Sequence, residues 1–253
     1  MELETWQLVF LSALGIIAGF LNVMAGGGSL LTLPAMVLMG IPGPIANGTN
    51  RVAILAQNIT AVTGFRKKGF SDFKLSLTLA LCALPGAVAG AYVGTLVRGV
   101  LFNRILAGIM IVLLIQMAWK SRSKSKGDPV PEGAPPRMLL GHICIVGVGF
   151  YGGFIQAGVG FMLMAVLHNV MRLDLVRVNM HKVFVVGFYT AAALGVFVWT
   201  GNVLWIPGIA LAIGNSIGGW IGSHVSVKKG EGFIRKILYV TLTAMALRLL
   251  WGP

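Results

Sequence analysis

The fold of this chain is decided by an apolar stretch that a run of glycines interrupts, residues 15–34, GIIAGFLNVMAGGGSLLTLP. The apolar run before the break, 6–24, is long enough to cross most of a bilayer as a helix. The run after it, 28–41, is too short to cross untilted. Backbone groups that a break leaves unpaired inside a membrane are tolerated where they line a polar cavity. In a membrane protein, the stretch therefore predicts a broken helical hairpin beside such a cavity.

The composition places this stretch in a membrane protein. Apolar residues make up 57% of the 253 residues and charged residues 11%, and the mean hydropathy is +0.86. A soluble domain carries about 25% charged residues. The chain therefore cannot cover a water-facing surface, which excludes a soluble enzyme, a nucleic-acid-binding domain and a disordered segment. The N-terminus lacks the basic region of a signal peptide, so we expect the first apolar run to stay in the mature protein.

Further apolar runs divide the chain into two halves. They lie at residues 45–65, 73–97, 100–119, 138–156, 160–171, 174–199, 203–225 and 232–251. The one long polar stretch, 120–137, is rich in Lys, Arg and Pro and predicts a surface linker. The predicted domains are a first repeat at residues 1–119, a cytoplasmic linker at 120–137 and a second repeat at 138–253.

Glycine spacing predicts that the halves repeat. The break at 26–28 aligns with Gly158-Val159-Gly160, and Gly69 aligns with Gly201, both at an offset of 132. Glycines at four-residue spacing also recur, at Gly86, Gly90 and Gly94 and at Gly214, Gly218 and Gly222. This last spacing is typical of close packing between membrane helices. Recurrence at matched positions predicts two copies of one architecture.

The basic residues predict how the copies are oriented. If each broken pair of segments returns to its starting side and the N-terminus is outside, fifteen basic residues lie inside and three outside. If each pair is a single crossing, they divide about ten to eight. The positive-inside rule favours the first arrangement. We therefore predict an all-α polytopic membrane protein with two inverted repeats, each a glycine-broken helical hairpin plus three transmembrane helices, and both termini outside.

Two basic residues fall inside apolar segments, whereas all seven acidic residues lie in loops or at segment ends. These two, Arg51 and Lys182, match at an offset of 131. A buried cation needs a negative partner, and a transported anion can supply one. The alternative is that each side chain snorkels to the nearby interface.

The predicted substrate site combines the glycine breaks, the two cations and the polar side chains near them. Amides, hydroxyls and the first backbone N–H groups of a helix that begins at Ser29 or Phe161 can bind an oxyanion. The residues are Asn22, Gly26, Gly27, Gly28, Ser29, Asn47, Thr49, Asn50, Arg51, Gln57, Gln156, Gly158, Gly160, Asn179, His181 and Lys182. Each could instead serve helix packing, and His181 could carry a proton or be structural.

No catalytic or metal-binding constellation is visible in the sequence. The cysteines, Cys82 and Cys144, lie in apolar runs without ligand-like neighbours. Paired carboxylates, a nucleophile with a base, and a phosphate-binding loop are also missing from the pattern. We expect no cofactor, no metal, no nucleic-acid partner and no enzymatic activity.

The stretch 15–34, followed by Ala46-Asn47-Gly48-Thr49-Asn50, resembles the sulfite exporter TauE/SafE family of membrane permeases. That family has a glycine-rich first helix ending in a proline and then an Ala-x-Gly-Thr element, with a degenerate copy in its second half. Here the second copy has Val159 for a glycine, Val166 for the proline, and Val178-Asn179 for Gly-Thr. The resemblance covers essentially the whole chain.

The resemblance implies a secondary transporter that moves sulfite, thiosulfate or an organosulfonate across the cytoplasmic membrane by alternating access. The residues alone indicate an anion, and sulfur comes only from the resemblance. An anion channel of the same architecture and a non-transporting assembly subunit remain alternatives. The sequence leaves open the exact substrate, the direction of transport, a coupling proton or sodium ion, and the oligomeric state.

Overall fold

The computed structural model describes residues 3–69, 72–122 and 137–225, and every regular element in these ranges is a helix. The helices are α1 (Thr5–Ala25), α2 (Ser29–Leu38), α3 (Gly43–Lys67), α4 (Phe73–Leu96), α5 (Gly99–Arg122), α6 (Met138–Phe154), α7 (Val159–Ala165), α8 (Leu175–Trp199) and α9 (Trp205–Val225). The predicted helical segments are thereby confirmed in the described ranges. The segment predicted at 232–251 lies outside the described residues.

The helices suit a lipid environment. Four are long and apolar enough to cross a membrane, at Thr5–Met24, Phe73–Leu96, Gly99–Gln116 and Leu175–Trp199. Large apolar side chains also point outward, among them Trp199, which is 82% exposed, and Leu139, which is 77% exposed. Such an outer surface is far more apolar than that of a soluble monomer, so the chain is a multi-pass membrane protein.

The predicted break in the first half is a tight turn between two helices. Helix α1 is capped at its C-terminus by Gly26, whose φ of +83° is in the left-handed region that glycine adopts without strain. Helix α2 begins at Ser29 and turns back along α1, since a Cβ added at Gly28 would overlap the carbonyl of Ala18. Pro34 lies inside α2. The first half therefore opens with a hairpin.

The second half has a matching break. Helix α6 ends at Phe154, and Gly158, with a φ of +72°, caps the start of α7. Helix α7 starts at Val159, two residues earlier than Phe161, because its first turn already forms at the glycine cap. A π-helical turn, Val166–Val170, continues α7. It begins at Val166, the residue that aligns with Pro34 of α2 at the offset of 132.

The spaced glycines pack two pairs of helices closely. Gly214 and Gly218 on α9 lie against the backbone of Ser12 and Ile16 on α1. A step of four residues along α9, from Gly214 to Gly218, matches a step of four along α1, from Ser12 to Ile16. The two helices therefore run in the same direction. This contact matches the packing role that the glycine spacing predicts.

The second glycine interface, between α4 and α6, is built in the same way. Gly86 and Gly90 lie against the backbone of Val146 and Phe150, so α4 and α6 also run in the same direction. The long helices α3 and α8 are instead antiparallel. Near the start of α3, Gly48 contacts Phe197, which is near the end of α8. Farther along α3, Asn58 contacts Gly187.

Two apolar clusters surround this crossing. One joins α1, α2, α3, α5 and α9 and includes the buried side chains of Leu30 and Phe102. The other joins α4, α6, α7 and α8 and includes Leu163 and Tyr189. The polar side chains of α3 and α8 therefore lie between two apolar layers.

Candidate functional site

Arg51 on α3 is completely buried and reaches the end of α6. Its Nη1 donates to Oε1 of Gln156 at 3.2 Å, and its Nη2 donates to the carbonyl of Gly153. The guanidinium also lies 4.7 Å from the centre of the Phe197 ring. Asn47, one turn earlier on α3, donates to the carbonyl of Phe154 at 2.7 Å. The snorkelling alternative is wrong for Arg51, because no part of the residue reaches the surface.

We call this group the Arg51 cluster: Arg51, Asn47, Gln156 and the carbonyl of Gly153. Asn47 Oδ1 also accepts from Arg51 Nη2 at 3.4 Å. Gln156 Nε2 donates to Thr190 Oγ1 at 3.4 Å, which ties the cluster to α8. Three of the predicted site residues therefore come together here.

Lys182 on α8 is buried in the same manner and reaches the end of α1. Its Nζ donates to the carbonyl of Val23 at 2.9 Å and to Oδ1 of Asn179 at 2.8 Å. Lys182 is 2% exposed, so snorkelling is wrong for it too. These three groups form the Lys182 cluster: Lys182, Asn179 and the carbonyl of Val23.

Each cation thus contacts the C-terminal turn of the broken helix in the other half. The carbonyl oxygens at a helix C-terminus carry partial negative charge, which stabilises a nearby cation. Among the described residues the one ion pair joins Arg177 and Asp174 at the surface, so no described carboxylate neutralises Arg51. The helix carbonyls therefore provide some of the negative charge that the two cations need, a role for which the sequence had suggested a transported anion.

The two glycine breaks meet between the clusters. A Cβ added at Gly160 would overlap the Cα of Gly26, so the two backbones are in direct contact. Beside this contact is a cavity of about 10 Å³, which Asn22, Asn58 and Lys182 line together with apolar side chains of α7 and α8. That volume suits roughly one water molecule. The described conformation is therefore closed around the candidate site.

An amide cluster adjoins the cavity. Gln57 Oε1 accepts from Nδ2 of Asn22 at 3.1 Å and from Nδ2 of Asn215 at 3.4 Å. Gln57 Nε2 and Asn215 Oδ1 are buried without a partner among the described residues. An unpartnered buried polar atom is costly, and such atoms mark positions for water or a ligand.

Sequence reasoning missed two residues of this region. Asn58 lines the cavity and Asn215 contacts Gln57. The available signals were that Asn58 follows Gln57 directly, and that Asn215 is an amide within the glycine-spaced stretch of α9. Neither signal shows which helix face the side chain occupies.

Other predicted residues have partners outside the two cation clusters. Thr49 Oγ1 accepts from the backbone N–H of Leu204 at 2.9 Å, and Asn50 Oδ1 accepts from Thr32 at 2.7 Å. His181 Nδ1 lies 2.8 Å from Ser76 Oγ on α4. These bonds hold helices together, so a substrate role for Thr49, Asn50 and His181 stays a prediction. Ser29 and Gly26–Gly28 lie at the first break, where Ser29 and the glycines are buried.

Comparisons with known proteins give one consistent result. A family model described as Sulfite exporter TauE/SafE matches residues 11–249. The probable membrane transporter protein ORF9 of Sinorhizobium sp is 30% identical over 252 residues, which cover 100% of this chain and 95% of the relative. The probable membrane transporter protein YfcA of Escherichia coli is 26% identical, covering 93% and 87%. A probable membrane transporter protein of Haemophilus influenzae is 22% identical, covering 99% and 97%. No solved structure matches the chain.

Proposed function

The chain belongs to the sulfite exporter TauE/SafE family of membrane transporters, and we propose that it is a secondary transporter of a small sulfur-containing anion. Sulfite, thiosulfate and organosulfonates are the candidate substrates, and alternating access across the cytoplasmic membrane is the mechanism. The observation that carries the proposal is the pair of buried cations, one on each side of the contact between the glycine breaks. Family membership favours a transporter over an enzyme.

The charge of the interior supports an anion as the substrate. Arg51 and Lys182 are buried near amides that donate hydrogen bonds without adding charge. A cation in this region would be repelled by both side chains, and no buried carboxylate is among the described residues to offset that repulsion. An oxyanion instead gains charge-assisted hydrogen bonds from either side.

The helix directions support the proposed inverted repeats, with boundaries at 1–119 and 138–253. Helices α1, α3 and α9 run one way, since Thr49 lies beside Leu204 and Gly64 beside Ser223 in addition to the α1–α9 contacts. Helices α4, α6 and α8 run the other way. If α1, α3 and α4 correspond to α6, α8 and α9, each helix opposes its counterpart, as inverted repeats require.

The same correspondence puts the two cations on opposite sides of the molecular centre. Helices α3 and α8 are antiparallel. Arg51, in the first half of α3, packs on Phe197 near the end of α8, whereas Ala61, farther along α3, shares an apolar cluster with Val183 near the start of α8. Because Gly187 lies against Asn58, Lys182 is level with a point about twelve residues beyond Arg51 on α3, about 18 Å along the helix axis. An anion between the breaks would be within reach of either cation as the halves rock against each other.

Flux measurements on the purified protein in proteoliposomes test the proposal. We expect saturable uptake of radiolabelled sulfite, inhibition by thiosulfate or methanesulfonate but not by chloride, and accumulation of label driven by unlabelled sulfite on the far side. That counterflow is a property of a carrier and not of a channel. The Arg51→Ala/Lys182→Ala double variant should lose flux by about a hundredfold or more, since each change removes a buried charge.

The matched control is Gly108→Ala, which lies on α5 with open space around the added methyl group. Its flux should equal that of the unmodified protein. Wild-type-like flux in the double variant would refute the role of the two cations. Uptake of every small anion at the same rate without counterflow would refute the carrier mechanism.

A further inference from the structure

Arg51 and Lys182 do more in this structure than approach the candidate site: each joins its own half to the broken helix of the other half. The geometry points to two latches, which close opposite sides of the site and open alternately when the anion replaces the helix carbonyls. This inference rests on the proposed function but is tested without measuring transport. It assigns the gating step to two particular side chains.

The Arg51 latch closes the side at which α3 and α9 begin. The guanidinium holds the carbonyl of Gly153 and the side chain of Gln156, which lie just before and just after the end of α6. Asn47 adds a bond from the same helix to the carbonyl of Phe154. As long as these bonds persist, α3 and the end of α6 cannot separate.

The Lys182 latch closes the opposite side, at which α8 begins. Its ammonium group bonds the carbonyl of Val23, in the last turn of α1, and is braced by Asn179. Lys182 also lines the small cavity at the glycine contact. The two latches therefore have the same construction: a long-helix cation, a supporting asparagine three or four residues away, and a carbonyl of the other half.

A helix carbonyl carries a partial charge and an oxyanion a full one, so the cation binds the oxyanion more strongly. An anion that reaches one latch would displace its carbonyls and free that broken helix, while the other latch stays bound. A ligand shifts a conformational equilibrium only through such a difference in affinity between the two states. With latches on opposite sides, this exchange opens one side at a time.

Reporter cysteines test the latches in the full-length protein. In a Cys82→Ser/Cys144→Ser background, Ala46→Cys reports on the Arg51 side and Met180→Cys on the Lys182 side, since both positions are buried close to the respective latch. The measurement is the rate of labelling by a small water-soluble maleimide, with both faces of the membrane exposed to reagent.

We expect Arg51→Gln to raise labelling of the Ala46→Cys reporter about tenfold and to leave the Met180→Cys reporter unchanged. Lys182→Gln should do the reverse. Tenfold is the shift expected when one hydrogen bond to a charged donor is lost from the closed state. Thr60→Val is the control, because the Thr60 hydroxyl also bonds across the halves, to the carbonyl of Ser216, but carries no charge. It should change neither reporter.

The opposite-sided pattern separates gating from general loosening of the fold. If either variant raises both reporters to the same extent, the side chain only stabilises the bundle and the inference is wrong. If neither variant raises its own reporter, the contacts are not latches. If the unmodified protein shows no sulfite flux while the variants give the opposite-sided labelling, the substrate proposal is overturned and the latches are retained.

Discussion

The Arg51 cluster and the Lys182 cluster occupy matched positions but differ in chemistry. Arg51 divides its planar guanidinium between two acceptors and packs against an aromatic ring. Lys182 is a compact charge that lines the cavity beside two asparagines, Asn22 and Asn58. Both positions therefore carry a positive charge, but the groups around that charge differ. Under the inverted repeats that we propose, the two halves would carry unlike halves of one site, with the small cavity on the lysine side.

The two clusters depend on the glycine contact between them, and the largest effect is expected there. Gly26→Ala places a methyl group 2.5 Å from the Gly160 backbone at a φ of +83°. The combined clash and strain should destabilise the protein by about 3 kcal/mol or more and abolish transport. The measurement is the thermal midpoint in detergent together with sulfite flux.

Gly99→Ala is the control for this prediction. Its φ of +59° is also left-handed, but nothing lies within 4 Å of the added Cβ. Only the backbone strain applies, at about 1–2 kcal/mol, and flux should persist. Equal effects of the two substitutions would mean that the contact between the breaks does not matter.

At the two glycine interfaces, α4 with α6 and α1 with α9, the halves of the protein should respond alike to substitution. Gly86→Ala on α4 and Gly214→Ala on α9 each push a methyl group into the backbone of a neighbouring helix. Each should destabilise the protein by about 2 kcal/mol, measured as a matched fall in the thermal midpoint. Gly195→Ala, with open space around it on α8, should be neutral or slightly stabilising. A large change for one interface and none for the other would contradict equivalent packing.

Arg51→Lys tests whether the two cations are interchangeable. A lysine keeps the charge, but its single ammonium group cannot reproduce the planar fork that bonds Gly153 and Gln156. We expect the sulfite flux to fall about tenfold, which corresponds to one lost hydrogen bond to a charged donor. Unchanged flux would show that only the charge matters, and the difference between the clusters would then have no functional meaning.

The smallest effect is expected at Asn58 and Tyr189, which match at the same offset of 131 as Arg51 and Lys182. Asn58 lines the cavity, whereas the buried Tyr189 hydroxyl lies against Gly152 and outside the cavity lining. Asn58→Ala should raise the KM for sulfite a few-fold at constant maximal rate, as expected when uniform binding is removed. Tyr189→Phe should change the KM by less than about twofold. The reverse order would place the substrate on the arginine side.

The sequence predicts the helices, both breaks and the two buried cations. These depend on apolar run length, glycine runs and charge within a span, all of which are local patterns. The partners of Arg51 and Lys182 could not be predicted, because the carbonyls of Gly153 and Val23 carry no sequence signature and come close only through packing between the halves.

Side-chain direction is the other limit. Thr49 and Asn50 are polar and close to Arg51 in sequence, yet they bond Leu204 and Thr32 instead. Asn215, 158 residues from Gln57, completes the amide cluster. Helix periodicity alone does not fix which face meets a distant helix. The π-helical turn at Val166–Val170 could not be predicted either, because this stretch contains no proline or other residue that signals it.

Equilibrium binding of radiolabelled sulfite to the purified protein shows whether Arg51 and Lys182 serve a single anion site. We expect one saturable site per chain, weakened at least about tenfold by Arg51→Gln or by Lys182→Gln alone and lost in the double variant. If the double variant bound sulfite with the affinity of the unmodified protein, Arg51 and Lys182 would not form the anion site.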